Sequence, residues 1–298
     1  MKNLLFVMNP CAGKKKANKV LAEVLSIFNR AGYRVTVHMT AGPGDGEPAV
    51  VRYAQEVDLV VCCGGDGTFN EVIAGVMKSG KDLPIGYIPA GSTNDFANSL
   101  QLSTDILQAA RDIVEGEADV FDVGSFGGRF FSYVASFGAF THASYATSQS
   151  LKNVLGHGAY LLSGITELAR IKREHLKFTL PGGRVVEDDF IFGAISNSTS
   201  VGGILTLAPD RVDMTDGKFE LLLIRMPHSL AELSKCVIGL LQQKYDSPLI
   251  TFLSASSVEV TAPESMPWTL DGEREEGRKT VRVENLQHAV RVIRRRQK

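Results

Sequence analysis

The sequence predicts an α/β fold in which an open, parallel α/β domain is followed by a β-sandwich, and three observations predict it. Short, β-branched apolar runs alternate with amphipathic helical patterns over the first third of the 298 residues. Three of these runs stop at polar loops rich in small residues. Beyond residue 120 the alternation gives way to short β-rich segments separated by glycines.

Leu4 to Met8 is the first strand, running into Asn9-Pro10-Cys11-Ala12-Gly13 and then Lys14, Lys15 and Lys16 before an amphipathic helix from Ala17 to Ala31. Asn9 and the small residues after it can meet phosphate through amide and backbone donors, with the lysines adding positive potential. The alternative for the lysines is a solvated helix start, where they oppose the helix dipole.

Val57 to Cys63 reads as a buried parallel strand that stops at Gly64-Gly65-Asp66-Gly67-Thr68. Thr68-Phe69-Asn70-Glu71 has the spacing of a capping box, and Val72, Ile73, Val76 and Met77 give the following helix an apolar face. The glycines allow close approach of a ligand to the backbone, and a helix start attracts negative charge. Asp66 would repel phosphates unless a divalent cation intervenes, so phosphate and magnesium are expected together. A tight strand-to-helix turn that binds nothing is the alternative. Residues 84–98 repeat the arrangement, with a strand at Ile85–Ile88, a Pro89-Ala90-Gly91 turn and Ser92-Thr93-Asn94-Asp95 before another helical pattern. Open α/β sheets hold ligands where such strand ends converge.

No Walker loop, Gly-x-Gly-x-x-Gly signature or protein-kinase catalytic loop occurs. A net charge of −1 argues against a general nucleic-acid binder. Cys11, Cys62, Cys63 and Cys236 form no Cys-x-x-Cys pair, so buried reduced thiols are expected rather than zinc or disulfides. No basic-then-apolar leader opens the sequence and no apolar run approaches the roughly 18 residues of a membrane span, so a cytoplasmic protein is expected. Hydrophobic content of 44% over 298 residues suits two cores.

In the second part, Phe121–Val123, Phe130–Ala135, Leu176–Leu180, Asp189–Ser196, Phe219–Ile224 and Val258–Thr261 read as strands, Tyr160–Arg170 and Leu230–Leu241 as helices, and Val281–Val283 and Val290–Ile293 as late strands. Asp210 to Glu220 contains Asp213 and Asp216 ahead of an alternating strand. It reads as an Asp-Gly turn, with an oxygen-bound cation as the other possibility. Asp271-Gly272-Glu273 reads either as a hairpin turn or as the carboxylate that accepts a proton from a hydroxyl. Either acid can serve.

Asn9-Pro10…Gly13, Gly64-Gly65-Asp66-Gly67-Thr68 and Gly91-Ser92-Thr93-Asn94-Asp95-Phe96-Ala97 together resemble the diacylglycerol kinase catalytic-domain family, most closely its bacterial soluble lipid kinases. The resemblance extends to Gly156-His157-Gly158-Ala159-Tyr160, Ala208-Pro209…Asp216-Gly217 and Leu270-Asp271-Gly272-Glu273. Ser92 departs from the family's more common threonine but keeps the hydroxyl. The resemblance implies a NAD kinase/diacylglycerol kinase-like α/β nucleotide-binding domain over 1–121, a β-sandwich over 122–286 and a tail, 287–298, that returns to the first domain. It also implies an ATP- and Mg2+-dependent kinase acting on a lipid hydroxyl, most simply diacylglycerol. It maps the nucleotide onto Asn9, Pro10, Cys11, Ala12, Gly13, Thr40, Gly65, Asp66, Gly67, Thr68, Phe69, Asn70, Glu71 and Ser92. On this reading Asp66 and Asp95 would organise catalytic magnesium, directly or through water, and the resemblance implies that Glu273 accepts the proton beside Asp271 and that a structural magnesium takes the Asp216 carboxylate with main-chain oxygens of Asp213 and Lys218. The lipid is met at a membrane surface, with ATP the other partner. Oligomeric state stays open, a homodimer included.

The basic tail, with Arg291, Arg294, Arg295, Arg296 and Lys298, can attract anionic lipid or form a solvated face. A NAD kinase and a non-catalytic nucleotide sensor are the rival functions. The Asn94-Asp95-Phe96-Ala97 segment fits the first less well, and a sensor has no need of the acids at Asp271 and Glu273.

Overall fold

The computed structural model describes residues 1–13, 15–138, 172–201 and 205–295. Lys14, the segment Gly156–Tyr160, the helix expected at Tyr160–Arg170, Arg296 and Lys298 lie outside the described residues.

In chain order the first unit is β1 (Lys2–Met8), α1 (Lys16–Arg30), β2 (Tyr33–Met39), α2 (Gly46–Tyr53), β3 (Leu59–Gly64), α3 (Asp66–Ser79), β4 (Pro84–Pro89), α4 (Asp95–Ser99) and α5 (Ile106–Glu115). The second is β5 (Glu117–Phe126), β6 (Arg129–Phe131), β7 (Val134–Gly138), β8 (Glu174–Thr179), β9 (Val185–Ser196), β10 (Ser200–Val201), β11 (Leu205–Thr206) and β12 (Phe219–Arg225). It continues with α6 (Leu230–Leu241), β13 (Ile250–Ala255), β14 (Ser257–Thr261), β15 (Trp268–Leu270), β16 (Glu273–Glu275) and β17 (Thr280–Arg294).

Strands β2, β1, β3 and β4 pair in parallel in that spatial order. Every residue of β3 is buried, as a strand covered on both faces requires, and its apolar run carries no polar interruption. On one face Val7, Val60, Cys62 and Tyr87 pack against Phe69 of α3. On the other, Phe6 and Ile88 pack against Val24 and Phe28 of α1 and Ile113 of α5. The sandwich interior is a separate cluster around Phe137, Phe178, Phe190, Leu221 and Trp268. The β-sandwich read from the sequence is thus present, and α6 has the bounds expected for it.

Three local expectations change. The two late strands are one, β17, bent by a bulge between Leu286 and Val290; its first part pairs with β14 and its last part lies parallel to β4 at Arg291 and Val292. β17 and β5 therefore run through both units and tie the sheets together. The strand expected at Phe130–Ala135 breaks at Ser132 and Tyr133, because the amides of Ser132, Tyr133 and Val134 turn to the Asp271 carboxylate. The Thr68/Glu71 capping box does not form. The helix begins three residues earlier with Gly65 as its cap, so Thr68 already lies within the first turn, and Glu71 reaches instead to the amides of Gly44 and Gly46 at 2.7 Å each.

Candidate active site

The loops after β1, β3 and β4 meet at the carboxyl ends of the parallel strands. Asn9 anchors its loop by donating its N–H to the Cys63 carbonyl at 2.9 Å and its Nδ2 to Thr68 Oγ1 at 3.2 Å, while its Oδ1 accepts the Cys11 amide at 2.9 Å. The loops touch backbone to backbone. A Cβ on Gly91 would lie 2.5 Å from Gly65 Cα, and one on Gly13, whose φ is +51°, would lie 2.4 Å from the Ala90 carbonyl oxygen. Only hydrogen fits at these contacts, which explains the glycines without any ligand. The same packing brings the three loops together at the strand ends. Thr40 closes its edge, buried and donating its N–H to Met8 O at 2.8 Å.

Pro10, Ala12, Cys11 and Ser92 line the solvent side; Cys11 is an exposed free thiol, unlike the buried thiols of Cys62, Cys63 and Cys236. Burial of every cysteine was the expectation, and Cys11 corrects it because its loop projects beyond the strand. Phe69 sits in the core, stacked on Tyr87 with ring centroids 4.2 Å apart, so its ring is turned away from the crevice. Asn70 is buried and donates to the Phe130 carbonyl, and Glu71 holds the 44–46 loop. These three members of the expected nucleotide set therefore act on the crevice through the position of α3.

Asp66 and Asp95 lie together. The amide of Phe96 donates to Asp66 Oδ1 at 3.4 Å. Burial, followed by the charge of the adjacent Asp95, pushes the Asp66 carboxyl up to about 6, against the pull of the Asp95 and Phe96 amides. Asp95 is 1% exposed and takes a hydrogen bond from Ser200 of β10. Like charges crowded in this way are what a divalent cation relieves. Among the described residues no three His, Cys, Asp or Glu converge to cage a metal, but magnesium in phosphotransfer sites uses one or two carboxylates together with substrate phosphates. The pair fits that demand.

The expected structural ion fits less well. Asp213 Oδ1 accepts from the Thr215 amide and hydroxyl, Asp216 Oδ1 accepts the Lys218 amide and Oδ2 pairs with Lys218 Nζ at 3.3 Å, and the Lys218 carbonyl accepts Asn285 Nδ2 at 2.9 Å. The loop is instead gathered by Asp122, fully buried, which accepts the Gly217 amide on one oxygen and the His288 amide on the other. These bonds engage the Asp216 carboxylate and the Lys218 carbonyl expected at that ion, and no step is assigned to an ion there.

Asp271 and Gly272 form the two-residue turn of the β15–β16 hairpin, with φ of +49° and +86°, so the hairpin reading of this segment holds. Asp271 is buried, and its two oxygens accept from Ser132 N–H, Ser132 Oγ, Tyr133 N–H and Val134 N–H. Burial raises its carboxyl to about 6 against the pull of these donors. With both oxygens occupied it is a clamp on the β6–β7 link. Glu273, one residue beyond the turn, is half-exposed and reaches the first unit: its Oε1 lies 3.2 Å from where a Cβ on Gly67 would be. Arg129, which nothing in its local sequence marks, holds Glu273 Oε2 at 2.6 Å. The Ser196–Ser200 segment, whose hydroxyls reach α4 through Ser198 and Ser99 at 2.7 Å, was equally unmarked. Of the basic tail, Arg291 pairs with Asp82, Arg294 with Asp119, and Arg295 with Asp112 and Glu115.

A strand-end crevice lined with backbone amides and carboxylates, faced by an acid from a β-sandwich, has the architecture of a kinase, and comparison with known proteins agrees. Residues 3–126 match the diacylglycerol kinase catalytic domain, and residues 134–294 match the YegS C-terminal NAD kinase beta sandwich-like domain. The chain belongs to the diacylglycerol kinase family and is a lipid kinase. It is 33% identical over 275 residues to a diacylglycerol kinase of Bacillus subtilis strain 168, covering 92% of this chain and 90% of that protein. A diacylglycerol kinase of Staphylococcus carnosus strain TM300 is also 33% identical, covering 91% and 89%. The crystal structure of a diacylglycerol kinase from Bacillus anthracis str. Sterne matches with a TM-score of 0.75 at 21% identity, covering 98% of this chain and 97% of that one, which shows the shared fold.

Proposed function

We propose that the chain transfers the γ-phosphoryl group of ATP to a hydroxyl of diacylglycerol, giving phosphatidic acid, in a magnesium-dependent reaction. The observation that carries this is the approach of Glu273 Oε1 to Gly67, which sets a half-exposed carboxylate from the sandwich against the glycine loop beside Asp66. A lipid hydroxyl is a weak nucleophile. A carboxylate at that position accepts its proton and aims its oxygen at the phosphorus, while the loops Asn9–Gly13, Gly65–Gly67 and Ser92, with Thr40 at the edge, bind and align the triphosphate. Magnesium bound by Asp66 and Asp95 would neutralise charge on the transferred group. Asp271 supports Glu273 by fixing the turn that carries it.

No helix among the described residues is long and apolar enough to cross a membrane. A cytoplasmic enzyme that visits the membrane surface to collect its acceptor accords with that. The acid partners of Arg291, Arg294 and Arg295 favour a solvated tail over a lipid anchor.

The test is transfer of radiolabel from ATP to diacylglycerol in mixed micelles, beside arms containing a sphingoid base, ceramide, a polyprenol and NAD. Label in phosphatidic acid is the expected result. Label on another lipid alone would move the acceptor, label on NAD alone would make this a NAD kinase, and ATP binding without transfer in any arm would make it a nucleotide sensor.

A further inference from the structure

Glu273 does not stand free at the crevice. It belongs to a line of alternating charges, Arg278, Glu275, Arg129 and Glu273, laid across two hairpins. Glu273 and Glu275 are two apart on β16, so their side chains leave the same face of the strand and repel each other. Arg129 spans them with its planar fork: Nη1 meets Glu275 Oε2 at 2.6 Å and Nη2 meets Glu273 Oε2 at 2.6 Å. The second oxygen of Glu275 accepts from Arg278 Nη2 at 3.0 Å, and Arg278 Nη1 donates to the Gly127 carbonyl at 3.2 Å.

Backbone geometry builds Arg129 into this place. Gly127 and Gly128, with φ of +55° and +94°, turn β5 into β6 and leave Arg129 as the first residue of the return strand. A Cβ on Gly127 would lie 2.3 Å from Arg278 Nη1, so a side chain there would expel Arg278 from the turn. The guanidinium occupies one oxygen of Glu273 and leaves the other, Oε1, over Gly67.

We propose that Arg129 is the positioning residue of the phosphotransfer site, its fork holding Glu273 Oε2 so that Oε1 faces the acceptor hydroxyl across Gly67. This rests on Glu273 acting on the acceptor as described above. The stability at stake is small, since half-exposed ion pairs contribute little to folding. What the fork supplies is direction: without it, Glu273 turns to solvent, away from the like charge of Glu275. A lysine restores the charge without the two parallel bonds.

The test uses the full chain with Arg129→Met, Arg129→Lys and Glu273→Gln, and with Arg129→Met combined with Glu273→Gln. Turnover on micellar diacylglycerol is measured beside carbodiimide labelling of Glu273, read by peptide mass spectrometry without substrate. Expected are a loss of kcat of about tenfold or more in Arg129→Met with KM for ATP held within about twofold, partial recovery in Arg129→Lys, no added loss in the double variant, and severalfold faster labelling of Glu273. Unchanged kcat, an equal loss in the Glu273→Gln background, or unchanged labelling would overturn it. Should Arg129→Met melt early, Arg129→Lys, which keeps the charge, is judged by the same measures. A wild-type chain that phosphorylates no lipid would defeat the proposed function, while the labelling arm still decides whether Arg129 holds Glu273.

Discussion

Ser200 donates its hydroxyl to Asp95 Oδ1, joining the sandwich unit to the first turn of α4. Asp95 is almost wholly buried, so this partner from the other unit helps to keep a carboxylate at the mouth of the sheet. A hydrogen bond to a charged group contributes about 1.5–3 kcal/mol. Ser200→Ala should lower stability to urea by an amount near the bottom of that range and reduce lipid phosphorylation several-fold. Equal melting and equal turnover in the variant would show that the contact does neither.

The two acids of the β15–β16 turn should part company on mutation. Asp271→Asn replaces an acceptor oxygen with an amide that must face N–H donors, leaving buried groups unpaired at about 1–3 kcal/mol. It should therefore melt well below the wild type. Glu273→Gln should melt normally and lose turnover by orders of magnitude. A fully stable Asp271→Asn variant would contradict the clamp, and an active Glu273→Gln would contradict the proton acceptor.

Gly91→Ala puts a methyl 2.5 Å from Gly65 Cα and 2.7 Å from Asn94 Oδ1. Two backbones cannot yield cheaply, so overpacking of about 1–3 kcal/mol is expected with loss of ATP binding. Calorimetric titration of the folded variant checks this; wild-type affinity would mean that the loops can separate without consequence.

Glu220 offers a pH test away from the crevice. It is 2% exposed and its Oε2 has no partner among the described residues, and burial pushes its carboxyl up from 4.5 to about 8 despite the Ser254 hydroxyl. The folded chain thus keeps a proton that the unfolded chain releases near pH 4.5, so stability falls as pH rises from there to about 8. At pH 7 the cost is about 3 kcal/mol relative to acid. Glu220→Gln should flatten this part of the curve, with the two proteins converging near pH 4.5. Parallel stability curves across the window would rule it out.

ATP affinity should collapse in EDTA if Asp66 and Asp95 need a cation between them and the phosphates. Isothermal titration with and without magnesium decides it. Asp66→Ala is expected to fold, because its carboxyl is already disfavoured in the charged form, and to lose activity by orders of magnitude.

Much of the fold was written in short stretches of chain. The ends of β1, β3 and β4, each within a residue of the expected position, the helix Leu230–Leu241 and the Asp271-Gly272 hairpin turn depend on period, propensity and positive φ, which act over a few residues. The glycine loops were legible for the same reason, since their tight contacts admit no side chain. Thr68 and Glu71 show where local spacing misleads: their capping pattern was overridden when Asn9 and the 44–46 amides offered better partners.

The candidate site itself depends on distant pairs. Glu273 finds Arg129 across 144 positions of chain, and Ser200 finds Asp95 across 105. No local pattern encodes such meetings, because a charged side chain on a strand looks alike whether it faces water or a partner. Glycine, proline and apolar period carry their meaning in backbone conformation and solubility, so the order of residues alone was enough to set most of the strands, the turns and the glycine loops. Which acid is clamped and which is presented was settled by the closing of the sandwich onto the sheet, since burial and the supply of donors arise only once separate segments are packed together.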